Sequence, residues 1–98
     1  FHDDLTQDEL VYPHLVRATD IDMGRHMNNV VYIRLLLDCF SAKELASGMI
    51  RTIEAHYASP CLEGETLGVF CRREEGRCRM AVKHADGRPA VLAQVIFR

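Results

Sequence analysis

The richest chemistry in the sequence lies in one polar stretch, residues 19–29, directly before an apolar run. Asp22 and His26 stand four residues apart in it. A carboxylate and an imidazole held together in a loop can share general acid–base or nucleophilic work. A helix that begins at Asn29 points unsatisfied N–H groups, and about half a positive charge, back into that loop. Such donors suit a developing oxyanion, where each contributes roughly 3–4 kcal/mol in the transition state. Asn28 or Asn29 also reads as a helix N-cap, since its side-chain oxygen can accept a first-turn N–H. The plain structural alternative is an Asp that caps the helix and a His that fills a hydrogen-bonded gap.

The flanking elements follow from periodicity. Residues 12–19 read as a first strand, with Pro13 tolerated at its start or on an edge. From Asn29 the run VVYIRLLLDCF is apolar on nearly every side, which predicts a helix enclosed by other elements. The pattern predicts that this helix continues through SAKELAS and ends at Gly48. The remainder alternates as antiparallel strands. Ile53, Ala55 and Tyr57 share a face, as do Leu67, Val69 and Cys71, and then Cys78, Met80 and Val82. Glu75-Gly76 and Asp86-Gly87 are tight-turn signals, and AVLAQVIF closes the chain as an apolar strand. One long helix against one antiparallel sheet of about five strands is an α+β architecture. The helix covers one face of such a sheet and leaves the other face to water or a partner, so the isolated chain is expected to self-associate.

Ninety-eight residues make one domain, read as an acidic arm or linker over residues 1–10 and a single folded unit over residues 11–98. The first ten residues carry four acids and no Lys or Arg, the composition of a loosely held segment. The chain opens on Phe1 rather than Met, which fits a processed or excised piece. A formal charge of −2 gives no basic field for nucleic acid, and the basic residues lack the aromatic interleaving of a single-strand binder. Arg72, Arg73, Arg77 and Arg79 flank the Glu75-Gly76 turn, as a solvated hairpin tip or a patch for an acidic partner. No signal peptide or 18-residue apolar run is present, so no membrane association is expected. The four cysteines form no CxxC pair, which leaves a zinc ribbon unsupported, and no metal or cofactor is called for. Their apolar settings and the lack of a secretion signal predict reduced thiols in a cytoplasmic protein.

Residues 20–32, DIDMGRHMNNVVY, resemble the D-x-D-x-x-x-H-x-N-N-x-x-Y signature of hotdog-fold thioesterases, above all the acyl-ACP thioesterases of plants and bacteria. The segment is also similar to the 4-hydroxybenzoyl-CoA thioesterase group. The likeness continues at HYASPC (residues 56–61) and GETL (residues 64–67), similar to the family's Tyr-x-x-Glu-Cys and Gly-Asp-x-Leu, and spans residues 12–98.

The resemblance implies a long central helix wrapped by a curved antiparallel sheet, and pairing with a second hotdog unit or with a second copy. It implies an acyl thioester hydrolase acting on acyl-ACP or acyl-CoA, with fatty acyl-ACP favoured. Asp22 falls on the family's catalytic Asp and His26 on its catalytic His. Asn28 and Asn29 match the helix-entry asparagines, and Cys61 matches the family's Cys position. All three are expected near the substrate. The family's catalytic Asn falls on Gly24, and its acidic residue on the second strand falls on Pro60. Those two departures favour the alternative of an acyl-binding or dimer-completing module. Cys61 reads either as a nucleophile paired with His26 or as a structural thiol, since nothing beside it in sequence lowers a thiol pKa.

Thiol titration of freshly prepared protein, denatured without reductant, is expected to find four free thiols. An intact intramolecular disulfide contradicts both the thiol assignment and the cytoplasmic expectation.

Overall fold

The computed structural model describes residues 2–98, so the opening Phe1 lies outside the described residues. Five strands form one antiparallel sheet: β1 (Leu10–Leu15), β2 (Ile50–Tyr57), β3 (Thr66–Glu74), β4 (Arg77–Lys83) and β5 (Pro89–Phe97). Their order is β1-β3-β4-β5-β2, so β1 and β2 are the edges. Pro13 sits on edge strand β1, where a missing N–H is tolerated. Gly76 and Gly87 take φ of +77° and +90°, the left-handed backbone that the two turn signals require.

Helix α1 (Asn29–Leu37) lies across one face of the sheet. Its Val31, Tyr32, Leu35 and Leu36 are buried. They pack with Leu67 and Val69 of β3, Cys78, Met80 and Val82 of β4, and Val91, Ala93 and Val95 of β5. Those of β3 and β4 are among the alternate positions that the sequence pattern assigned to one face. Burying each large aliphatic chain contributes about 1.5–3 kcal/mol.

Two boundaries differ from the sequence expectation. The first strand ends at Leu15, and a short 3-10 turn (Ala18–Asp20) follows it. The expected long helix is split into α1 and a short α2 (Ala42–Ala46), with no helix between them. The reason is a second start signal at Ser41. Its hydroxyl accepts the Glu44 N–H at 3.0 Å, and Glu44 Oε1 accepts the Ser41 N–H at 2.9 Å. This reciprocal capping box favours a fresh helix at residue 41 over continuation from α1. Gly48 remains the stop, at φ +73°.

The acidic arm is not loose. Leu5 is buried with Phe70, Ala81 and Leu92 on the sheet face opposite α1. Lys83, itself 8% exposed, donates to Leu5 O at 2.8 Å and pairs with Asp3 at 2.8 Å. Arg72 pairs with Asp4 at 3.1 Å and Glu9 at 2.6 Å. The arginines beside the β3–β4 turn are likewise occupied rather than free at a solvated tip. Arg73 holds Glu44, Arg77 holds Glu74 and Gln94, and Arg79 reaches Asp4. Part of the face left open by the helix is therefore covered by the chain's own first residues. Among the described residues no helix is long and apolar enough to cross a membrane.

The Arg72 guanidinium, with a further hydrogen bond from Thr6, holds the Glu9 carboxyl at about 2. A carboxylate depressed on folding stabilises the folded state above its unfolded pKa and loses that contribution as pH falls toward the folded value. The arm is expected to detach between about pH 4.5 and 2, ahead of the sheet. Arg72→Ala is expected to release it at neutral pH. Amide exchange of residues 5–9 reads both effects, and unchanged protection in Arg72→Ala contradicts the ion-pair account.

Candidate active site

One end of the molecule gathers the end of β2, the starts of β3 and β5, the end of β4 and the start of α1. The loop over residues 21–27 closes on itself through a single bridge between Ile21 and Met27. Within it the Asp22 N–H donates to His26 O at 3.1 Å, and the Arg25 N–H to Asp22 O at 3.0 Å. Arg25 takes φ +66°, a strained conformation for a side chain of its size. The Asp22 carboxylate turns back on the loop, where Oδ1 accepts the Gly24 N–H at 2.8 Å.

The residue before the loop anchors it. Asp20 is 5% exposed. Its Oδ2 accepts from His14 Nε2 at 2.8 Å and from the Arg17 N–H at 3.1 Å, and Arg34 of α1 lies 3.6 Å from Oδ1. Burial pushes this carboxyl upward, but the Arg17 N–H, His14 and Arg34 outweigh it and hold it below the usual carboxylate range. Asp20 O accepts the Asn28 N–H at 3.0 Å, fixing the entry to α1. Asn28 caps that helix, its side chain accepting from the Val30 N–H at 2.8 Å. The first Asp of the motif is thus a structural anchor, a role its sequence position did not reveal.

His26 and Asn29 line a cleft of about 250 Å³ together with Tyr32, Tyr57, Ser59 and Pro60. Tyr32 is buried, and its ring meets that of Tyr57 edge-on at 5.7 Å. A larger groove of about 340 Å³ lies between the arm and strands β4 and β5, and holds none of the loop residues. Asp22 is exposed beside the cleft and is not among its lining residues. The structure therefore brings His26 and Asn29 to the cleft, leaves Asn28 as the cap, and places Asp22 at the loop's outer turn.

Cys61 is fully buried and contributes through its backbone. Its N–H donates to the Tyr32 hydroxyl at 3.1 Å, and its carbonyl accepts the Met27 N–H at 3.1 Å. These two bonds staple the end of β2 to the loop and to α1. Burial pushes the Cys61 thiol up, which suits a structural thiol rather than a nucleophile. All four cysteines are free thiols.

Beside Cys61 lies a cluster that sequence reading did not assemble. His84 immediately follows β4, with its side chain 4% exposed. Its Nδ1 is 2.6 Å from Glu65 Oε1, and its Nε2 is 2.8 Å from Ser59 Oγ. Ser59 Oγ also reaches Pro89 O at 2.9 Å. Burial raises the Glu65 carboxyl, but His84 and the Leu62 N–H outweigh it, so the net shift is downward and Glu65 is ionised. The ligand atoms of Cys61, Glu65 and His84 lie within 4.8 Å of one another, a grouping that could hold a metal ion. The Glu65–His84 hydrogen bond occupies the space between two of those three donors. The sequence carried one weak sign of this cluster, an acid at the GETL turn. His84 carried none, being a lone His before the Asp86-Gly87 turn.

Residues 4–97 match the acyl-ACP thioesterase C-terminal domain family. No curated protein sequence matches the chain. An acyl-ACP thioesterase from Bacteroides thetaiotaomicron VPI-5482 superposes over 100% of this chain and 41% of its own, with TM-score 0.87 and 26% identity. The 12:0-ACP thioesterase from Umbellularia californica covers 100% of this chain with 39% of its own, at TM-score 0.81 and 18% identity. The Staphylococcus aureus protein SAV2348, solved in complex with CoA, covers 87% of this chain and 74% of its own, at TM-score 0.70 and 19% identity. The chain spans about two fifths of the length of the first two structures. The sheet and helix are those of the hotdog-fold thioesterases. With nearly its whole length matched and its loop, helix entry and strand end assembled as described, the chain belongs to the acyl-ACP thioesterase C-terminal domain family.

Proposed function

We propose that this chain is the hotdog unit of an acyl thioester hydrolase and that fatty acyl-ACP is its substrate. The observation that carries the reading is the placement of His26 and Asn29 on one cleft, at the start of helix α1, in a chain of this family. The Asn28 side chain takes the Val30 N–H. The Val31 N–H goes to Asn28 O at 2.9 Å, so the Asn29 N–H is the first-turn donor of α1 that can hold the oxyanion as the carbonyl becomes tetrahedral. Asp22 supplies a carboxylate beside the cleft to activate the attacking water, and His26 orients the acyl group or passes a proton. The paired tyrosines give the cleft an apolar wall suited to an acyl chain. The unit pairs with a second hotdog unit, or with a second copy of itself, and works in the cytoplasm without a cofactor.

A second reading has its own support. Gly24 and Pro60 stand where the family has an amide and an acid, Asp22 Oδ1 is engaged by the Gly24 N–H, and Asp22 is not among the residues that line the cleft. A unit so altered binds an acyl group, or completes a dimer, without hydrolysing the thioester.

Steady-state hydrolysis of medium- and long-chain acyl-ACP and acyl-CoA separates the two. Asp22→Asn keeps size and hydrogen bonding but removes the charge, so kcat is expected to fall by about 10²–10⁴-fold with little change in KM. His26→Ala is expected to lower the rate by less. Wild-type protein that binds acyl groups and hydrolyses none supports the binding module. Hydrolysis unchanged in Asp22→Asn removes Asp22 from the chemistry.

A further inference from the structure

Three strand ends, far apart in sequence, bring together Ser59, His84 and Glu65. Ser59 lies just past β2, Glu65 just before β3 and His84 just past β4. The contacts run in one line, Ser59 Oγ to His84 Nε2 at 2.8 Å and His84 Nδ1 to Glu65 Oε1 at 2.6 Å. An ionised Glu65 accepts, so Nδ1 carries the proton that bridges the two. A neutral imidazole fixed in that tautomer presents its Nε2 lone pair to the Ser59 hydroxyl. This is the atom-by-atom order of a nucleophile, a general base and the carboxylate that orients it. His84 is held in place at backbone level too. Its N–H donates to Arg88 O at 2.9 Å, and its carbonyl accepts the Gly87 N–H at 2.9 Å.

Position matters as much as order. Ser59 lines the cleft that holds His26 and Asn29, whereas His84 and Glu65 sit behind it and are not among the lining residues. Ser59 also stands next to Pro60, the position where the family's acid is absent. The Ser59 hydroxyl has one proton and two acceptors in reach, His84 Nε2 and Pro89 O at 2.9 Å. Rotation about one bond moves that proton from the carbonyl to the imidazole.

We infer that Ser59 is the nucleophile of this cleft, activated by His84 and Glu65, and that the thioester is cleaved through an acyl-serine. The inference rests on the thioesterase reading and assigns the attacking atom within it. Ser59 Oγ adds to the thioester carbonyl carbon while its proton passes to His84 Nε2. The tetrahedral intermediate collapses with cleavage of the C–S bond, and the thiol leaves with the proton from His84. Water then adds to the acyl-serine ester and gives up one proton to a cleft base. The C–Oγ bond breaks, Ser59 recovers a proton, and a carboxylic acid is released. Direct attack by Asp22 is unnecessary, and the carboxylate beside the cleft serves the water step.

The test uses three measurements on wild type, Ser59→Ala and Ser59→Cys, with unfolding curves to confirm that each variant is folded. The first is hydrolysis of acyl-CoA and acyl-ACP, the second is intact mass after acid quench, and the third is labelling by an alkyl fluorophosphonate. Wild type is expected to show an acyl adduct and a phosphonyl adduct, both mapped to Ser59. Ser59→Ala is expected to lack both and to lose roughly 10³-fold or more in rate. Ser59→Cys, which keeps a nucleophile, is expected to carry the acyl group as a thioester. A Ser59→Ala protein that hydrolyses at the wild-type rate overturns the nucleophile and leaves the thioesterase reading standing. Fluorophosphonate labelling of Ser59 without any thioester hydrolysis upholds the nucleophile and overturns that reading. Neither labelling nor hydrolysis in folded wild type overturns both.

Discussion

The functional end of this protein depends on one buried carboxylate. Asp20 sits below the loop with β1 on one side and α1 on the other, and its partners come from both: His14 from the strand and Arg34 from the helix. A charge out of water is expensive unless it is paired and hydrogen-bonded, so the loop can close only in the arrangement that supplies those partners. The carbonyl of the same residue takes the Asn28 N–H, which sets where α1 begins. Where α1 begins sets the place of Asn29 on the cleft. One electrostatic constraint thereby fixes a chain of geometry that ends at Asn29.

A second set of ties meets the first from the other side. Cys61 joins the end of β2 to both the loop and Tyr32 through two backbone hydrogen bonds. Leaving either buried group unpaired would cost about 1–3 kcal/mol, so these bonds hold the strand end against the loop and α1. Asp22 Oδ1 accepts the Gly24 N–H within its own turn, while the Glu65–His84 pair sits with its hydrogen bond already formed against Ser59.

Much of the fold was legible because it rests on local rules. Alternation placed Leu67, Val69, Cys78, Met80 and Val82 on the core face, and glycines marked the turns at 76 and 87. The helix boundary at Ser41 was missed because the apolar run masks a capping box that only competes once the chain is packed. The arm looked loose because acids read alone suggest solvation. Its cations, Arg72 and Lys83, lie some seventy positions away in sequence. The same limit governs the site. Asp22, His26, Asn28 and Asn29 lie within one short segment and announce themselves together. Ser59, Glu65 and His84 come from three strand ends, and nothing in their local patterns joins them. Asp20 was visible in the motif, but its burial is a property of the packed loop.

The central claim is that the buried Asp20 carboxylate orders the loop and the helix entry. Amide hydrogen exchange of Asp20→Asn against wild type tests it most directly. The account predicts that the N–H groups of Asp22, Arg25, Met27 and Asn28 exchange roughly ten- to a hundredfold faster in the variant, while β3, β4 and β5 keep their protection. Unchanged exchange at those four amides in a folded variant contradicts it.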